Sequence, residues 1–179
     1  MNLELLERIA KSSAHTQNRV ENARHILQNT SLLPELISFS FSIENKLHIR
    51  ACCILEKVFE IQMDLSFKYL DFICENLSKL KNDSAIQSVS RFIHFLVLDS
   101  VVKKNLSEKN LENITTACFD WLISDLRVAP KAHAIYTLFE LGKNQDWIYP
   151  ELKQLLEYYT GSESAGYKSV ARKILKKLN

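Results

Sequence analysis

The stretch Tyr167-Lys168-Ser169-Val170-Ala171-Arg172-Lys173-Ile174-Leu175-Lys176-Lys177-Leu178 decides the fold of this chain. Tyr167, Val170, Ala171, Ile174, Leu175 and Leu178 recur at i, i+3, i+4, i+7, which lines them along one side of an α-helix. A strand would need strict alternation. The remaining positions are almost all basic, so the segment buries one stripe and solvates the other.

Working outward, the same stripe returns along the chain. It appears as Leu47, Ala51, Ile54, Leu55, Val58, then Tyr69, Leu70, Ile73, Leu77, Leu80. Ile86, Val89, Ile93, Leu96, Val97 follow, then Leu111, Ile114, Cys118, Trp121, Leu122, and Ile148, Leu152, Leu155, Leu156, Tyr159. No sustained period-2 run interrupts them. Ser31, Asp64, Asp83, Ser107, Asp146 and Ser164 stand before stripes as expected N-caps. Pro34, Pro130 and Pro150 fall near first turns, and Gly142 and Gly161 follow stripes as expected left-handed C-caps. The pattern predicts about ten helices joined by short connections, hence antiparallel hairpins.

A weak repeat runs through the hairpins. His48–Ala51–Leu55, Lys131–Ala134–Leu138 and Lys168–Ala171–Leu175 share a polar residue, Ala at +3 and Leu at +7, with Ser88–Arg91–Phe95 where the missing copy belongs. The spacing is close to the period of roughly 40 residues in HEAT-type repeats. The expected fold is all-α, an α-α superhelix of about five stacked antiparallel hairpins forming a single domain over 1–179. The segment from Ile86 to about Val102 is apolar on most faces and is expected to be its buried central helix.

Of 179 residues, 46% are hydrophobic and 25% charged, with only three Gly and three Pro, a globular composition poor in the turns that sandwiches and barrels need. The net charge of +2 is too small to demand a polyanionic partner. Lys168, Arg172, Lys173, Lys176 and Lys177 nonetheless make the last helix strongly basic, a strip able to meet phosphates or an acidic protein surface. With Lys131, His48 and Arg91 on the second helices of the hairpins, they form the candidate binding surface. Cys52, Cys53, Cys74 and Cys118 sit inside helical stripes and read as reduced core thiols. The acidic start and the lack of an uninterrupted apolar run imply neither export nor a membrane anchor, so the cytoplasm is the expected compartment.

No motif carries a reaction. His48 and Cys52 could face a metal at i, i+4, but nothing in sequence completes the ligand set, and His15, His25, His94 and His133 lie in separate helices. Gly-rich phosphate loops are absent. No catalytic residue, cofactor or metal is expected. Trp121 and Trp147, each after an Asp, read as core packing.

The segments Cys118-Phe119-Asp120-Trp121-Leu122, Asp146 to Lys153 and Ser164-Ala165-Gly166-Tyr167-Lys168 through Leu178 resemble a family of short bacterial HEAT-like proteins of unestablished function. That resemblance implies an ARM/HEAT superhelix. Some members bear the label adenylosuccinate lyase, but that lyase's Ser-Ser-x-Met-Pro-x-Lys-x-Asn loop does not occur here. A more distant resemblance is to HEAT-like DNA-alkylation-repair glycosylases. The expected function is a scaffold that binds another protein along the second helices, with nucleic-acid binding as the alternative.

Overall fold

The computed structural model describes residues 2–13 and 15–178, and among them every regular element is helical. Eleven α-helices follow in order: α1 Leu3–Lys11, α2 Thr16–Gln28, α3 Leu33–Ser40, α4 His48–Ile61, α5 Leu70–Asn76, α6 Asp83–Leu98, α7 Ser100–Lys103, α8 Glu108–Ile123, α9 Val128–Leu141, α10 Ile148–Tyr159 and α11 Ala165–Leu178. The chain divides into two compact units, residues 1–92 and 93–179. No described helix is long and apolar enough to cross a membrane.

In the first unit α4 is the hub, packed against α1, α2 and α3. Its Ala51, Cys52, Ile54, Leu55, Val58 and Phe59 are all buried, and so are His48, Glu56 and Lys57. A helix covered on most sides must pair its polar groups internally. His48 Nδ1 and Cys52 Sγ both donate to the carbonyl of Ser40, at 3.1 and 3.2 Å, satisfying the C-terminus of α3. Phe59 meets Phe92 edge to face with centroids 5.4 Å apart.

In the second unit α9 takes the same place, packed against α8, α10 and α11. Ala134, Ile135, Leu138 and Leu141 form its buried stripe. Each fully buried Leu or Ile contributes about 1.5–3 kcal/mol relative to exposure.

The apolar run from Ile86 is shorter than its sequence suggests. α6 stops at Leu98, and the Asp99 carboxylate accepts from Val101 and Val102 N–H at 2.9 and 3.0 Å to start α7. Leu98 and Val101 are consequently exposed. Capping also differs from expectation. Ser107 caps α8 and Ser164 lies 3.4 Å from Tyr167 N–H. At α6, however, Asn82 rather than Asp83 accepts from Ser84 and Ala85. Ser31 and Asp64 lie in 3-10 turns, and the start of α10 has no side-chain cap.

Neither Gly142 nor Gly161 is left-handed, since no residue described has positive φ. Gly142 is required for closeness instead. A Cβ there would stand 2.2 Å from Tyr149 Cε1, in a ring stacked on Phe139, whereas a Cβ at Gly161 meets nothing within 4 Å. Gly161→Ala is therefore expected to raise stability by about 0.5–1 kcal/mol, through a less free unfolded chain. Gly142→Ala should lower it by about 1–3 kcal/mol through overpacking. Urea denaturation measures both, and two equal losses would restore the left-handed reading.

Candidate functional site

The basic helix α11 splits its cations between two edges. On one edge Lys168 Nζ donates to the Gly161 carbonyl at 3.2 Å, and Arg172 Nε donates to the Lys168 carbonyl at 3.1 Å. Both serve the helix's own entry, while Lys176 is exposed. On the other edge Lys173 and Lys177 reach across to α9. Lys173 Nζ lies 5.5 Å from the Tyr136 ring centroid and Lys177 Nζ 5.2 Å from that of Phe139. An i, i+4 pair on one helix thus meets an i, i+3 pair on its neighbour, within cation–π range.

The aromatic face continues beyond those two rings. Phe139 stacks on Tyr149 with centroids 5.7 Å apart, Tyr136 lies 5.6 Å from His94, and His94 lies 6.1 Å from His133. All five of these side chains are half-buried. His133, Tyr136, Phe139 and Glu140 form the strip of α9 beside its core stripe. Ring-bearing and ionisable residues off that stripe were the available signal in the sequence. The signal is weak, because a half-exposed aromatic has the same spacing as a buried one.

Charge on the face is organised around Glu140, which pairs with Lys143 at 2.6 Å and Lys103 at 3.4 Å. Burial alone would raise its carboxyl. The hydrogen bond and charge of Lys143, with those of Lys103, outweigh burial and hold the pKa below the ordinary value. His94 is depressed below 6.5 by burial, against an opposing pull from Glu140. Its Nδ1 is buried without a hydrogen-bond partner. The imidazole is therefore neutral at neutral pH.

Three expected surface residues are placed otherwise. His48 is only 4% exposed and is spent on the Ser40 carbonyl, so it offers nothing to a ligand. Lys131, also 4% exposed, pairs with Glu163 beside the Tyr167 ring. The polar register of the repeat sits at the start of its helix, tucked against the end of a neighbouring element. Arg91 is half-exposed and bridges the buried Glu56 at 3.2 Å and Glu60 at 3.6 Å, a structural role. Trp121 is core, as expected, but Trp147 is 55% exposed and leans on Phe119 with centroids 6.0 Å apart.

Cys52, Cys74 and Cys118 are buried free thiols and Cys53 is half-buried. Burial, then the charges of Asp71 and Glu75, push Cys74 up to about 12, and burial raises Cys52 and Cys118 as well. Among the described residues no three His, Cys, Asp or Glu side chains converge to hold a metal ion.

Two measurements check these assignments. Arg91→Ala should cost roughly 2 kcal/mol, because it strands the Glu56 carboxylate, while Lys168→Ala should stay within about 0.5 kcal/mol. Equal effects would mean that Arg91 is not the partner of Glu56. In an NMR titration His94 should take up its proton below pH 6.5, and lower still in Glu140→Gln, which removes the opposing negative charge. The unfolded chain then protonates first as pH falls, so this group makes acid destabilising. A midpoint above 6.5 would contradict the burial.

Comparison of the chain with family models, curated proteins and solved structures finds no match.

Proposed function

We propose that the protein is a non-catalytic binding module, a short HEAT/ARM-like stack of helical hairpins that holds an acidic segment of another protein against the α9/α11 face. One observation carries this reading: Lys173 and Lys177 are laid over the half-buried rings of Tyr136 and Phe139. Aromatic area ringed by cations is the composition of a protein interface, with rings supplying the apolar contact and ammonium groups selecting carboxylates. Orienting the lysines on the rings also lowers the entropy lost when a partner arrives.

The stack reading is supported by the packing of α9 on α11, as successive second helices pack in a solenoid. Buried alanines at one register, Ala51, Ala134 and Ala171, agree with it. It also fits the resemblance of the Asp146–Lys153 and Ser164–Leu178 segments to short bacterial HEAT-like proteins.

Nucleic acid suits the face less well. Base stacking needs open ring faces, whereas Tyr136 and Phe139 are half-buried and Phe139 already stacks on Tyr149. Glu140 adds a half-buried carboxylate that phosphates would have to approach.

The test is affinity capture from native lysate with the wild-type chain and with a Lys173→Glu, Lys177→Glu variant of matched folding. An acidic partner retained by the wild type should be weakened about tenfold or more in the variant. A partner held equally by both removes the α9/α11 face from the reading. A single-stranded oligonucleotide shifted at low salt by the wild type and not by the variant would install nucleic acid instead.

A further inference from the structure

We propose that the first unit carries a binding pocket for a small phosphate monoester, built where the first turns of α2, α4 and α6 come together beside the end of α1. The cavity measures about 320 Å³, the lower end of the range that takes small ligands. Arg19 comes from α2, Ile49 and Arg50 from α4, and Ser84 from α6, while Ser12 and Ser13 follow α1. This pocket is independent of the α9/α11 face.

Four observations point to an anion. Ser12 is 4% exposed and its Oγ has no hydrogen-bond partner. The Nε of Arg19 is equally shut off from water and unpaired. Leaving such donors unmet costs free energy, which a ligand with several acceptor oxygens recovers. Arg50 is already fixed: its Nη1 donates to the Ala10 carbonyl, and a guanidinium has further donors to offer. Among the described residues lining the cavity there is no carboxylate to neutralise the two guanidiniums.

The helices reinforce the charge. First turns carry unpaired N–H groups and the positive end of the macrodipole. The start of α2 has no side-chain cap, whereas at α4 the His48 and Arg50 N–H groups already donate to the Asn45 and Leu47 carbonyls. Two guanidiniums with hydroxyls beside them suit a tetrahedral oxyanion in charge and in donor type. Ile49 and the Cys53 thiol, which accepts from Ser88 Oγ at 3.4 Å, supply a small apolar wall for the ester group.

Calorimetry on the full chain with inorganic phosphate and with phenyl phosphate tests the proposal. Saturable binding is expected for both, tighter for phenyl phosphate and weakened about tenfold in Arg19→Gln and in Ser12→Ala. Should either variant fold poorly, the wild-type chain supplies its own readout through Cys53. Phenyl phosphate should slow alkylation of that half-buried thiol, the most accessible of the four cysteines. No saturation by about 10 mM of either probe, or no protection of Cys53, overturns the proposal. So does binding left unchanged by both substitutions. Saturation by benzoate as tight as by phenyl phosphate would reassign the pocket to carboxylates.

Discussion

Within the second unit, α9 lies against three helices, and its Ala134 has no exposed surface at all. Two helices reach the short end of the usual range, about 8 Å, only where the contact side chain is small. Ala134 and Ala171 meet that requirement in this unit, as Ala51 does on α4 in the other. One turn further on, Leu55 and Leu138 are also wholly buried, because the close approach brings neighbouring surface down onto them. A bulkier residue at the alanine register would force strain of about 1–3 kcal/mol and lift the leucine contact with it.

Close packing of helices leaves their ends as the remaining difficulty, since each has backbone groups without intrahelical partners. A chain with three glycines and three prolines cannot finish its helices by turn chemistry alone. It uses side chains instead. Asn2, Asn82, Asp99 and Ser107 accept from first-turn N–H groups, and Arg50 donates to the Ala10 carbonyl near the end of α1. The Ser40 carbonyl takes two donors, His48 and Cys52, which α4 presents at i, i+4. That pair could have been taken for half a metal site. Its actual use is to close α3.

The stripes were readable because burial imposes a period on sequence, and helix 165–178 was plain from its apolar spacing alone. The break at Asp99 was not. An apolar run continues through it, and only the carboxylate's local bonds to Val101 and Val102 show that a new helix begins. Lys131 illustrates a second limit. Its charge argues for water, but its partner Glu163 lies 32 residues away and cannot be inferred from spacing. Trp147 errs in the other direction, an aromatic beside a helix start that has no core to enter.

The same distinction separates structural polar groups from those available to a ligand. His48, Lys131 and Arg91 were singled out by residue type, yet each has its bonding requirement met by the chain itself. Ser12 Oγ and Arg19 Nε were not singled out, and theirs is unmet. A satisfied buried group contributes to the fold, and removing it costs stability. An unsatisfied one already costs stability, and a ligand that bonds it recovers that cost. Lys173 and Lys177 lie between these cases. A cation over an aromatic ring gains about 0.5–1 kcal/mol at an exposed position, enough to orient it but too little to hold it against a carboxylate. Residue type therefore finds where charge sits along the helices, and only the balance of donors against acceptors at each position tells which charges remain to be answered.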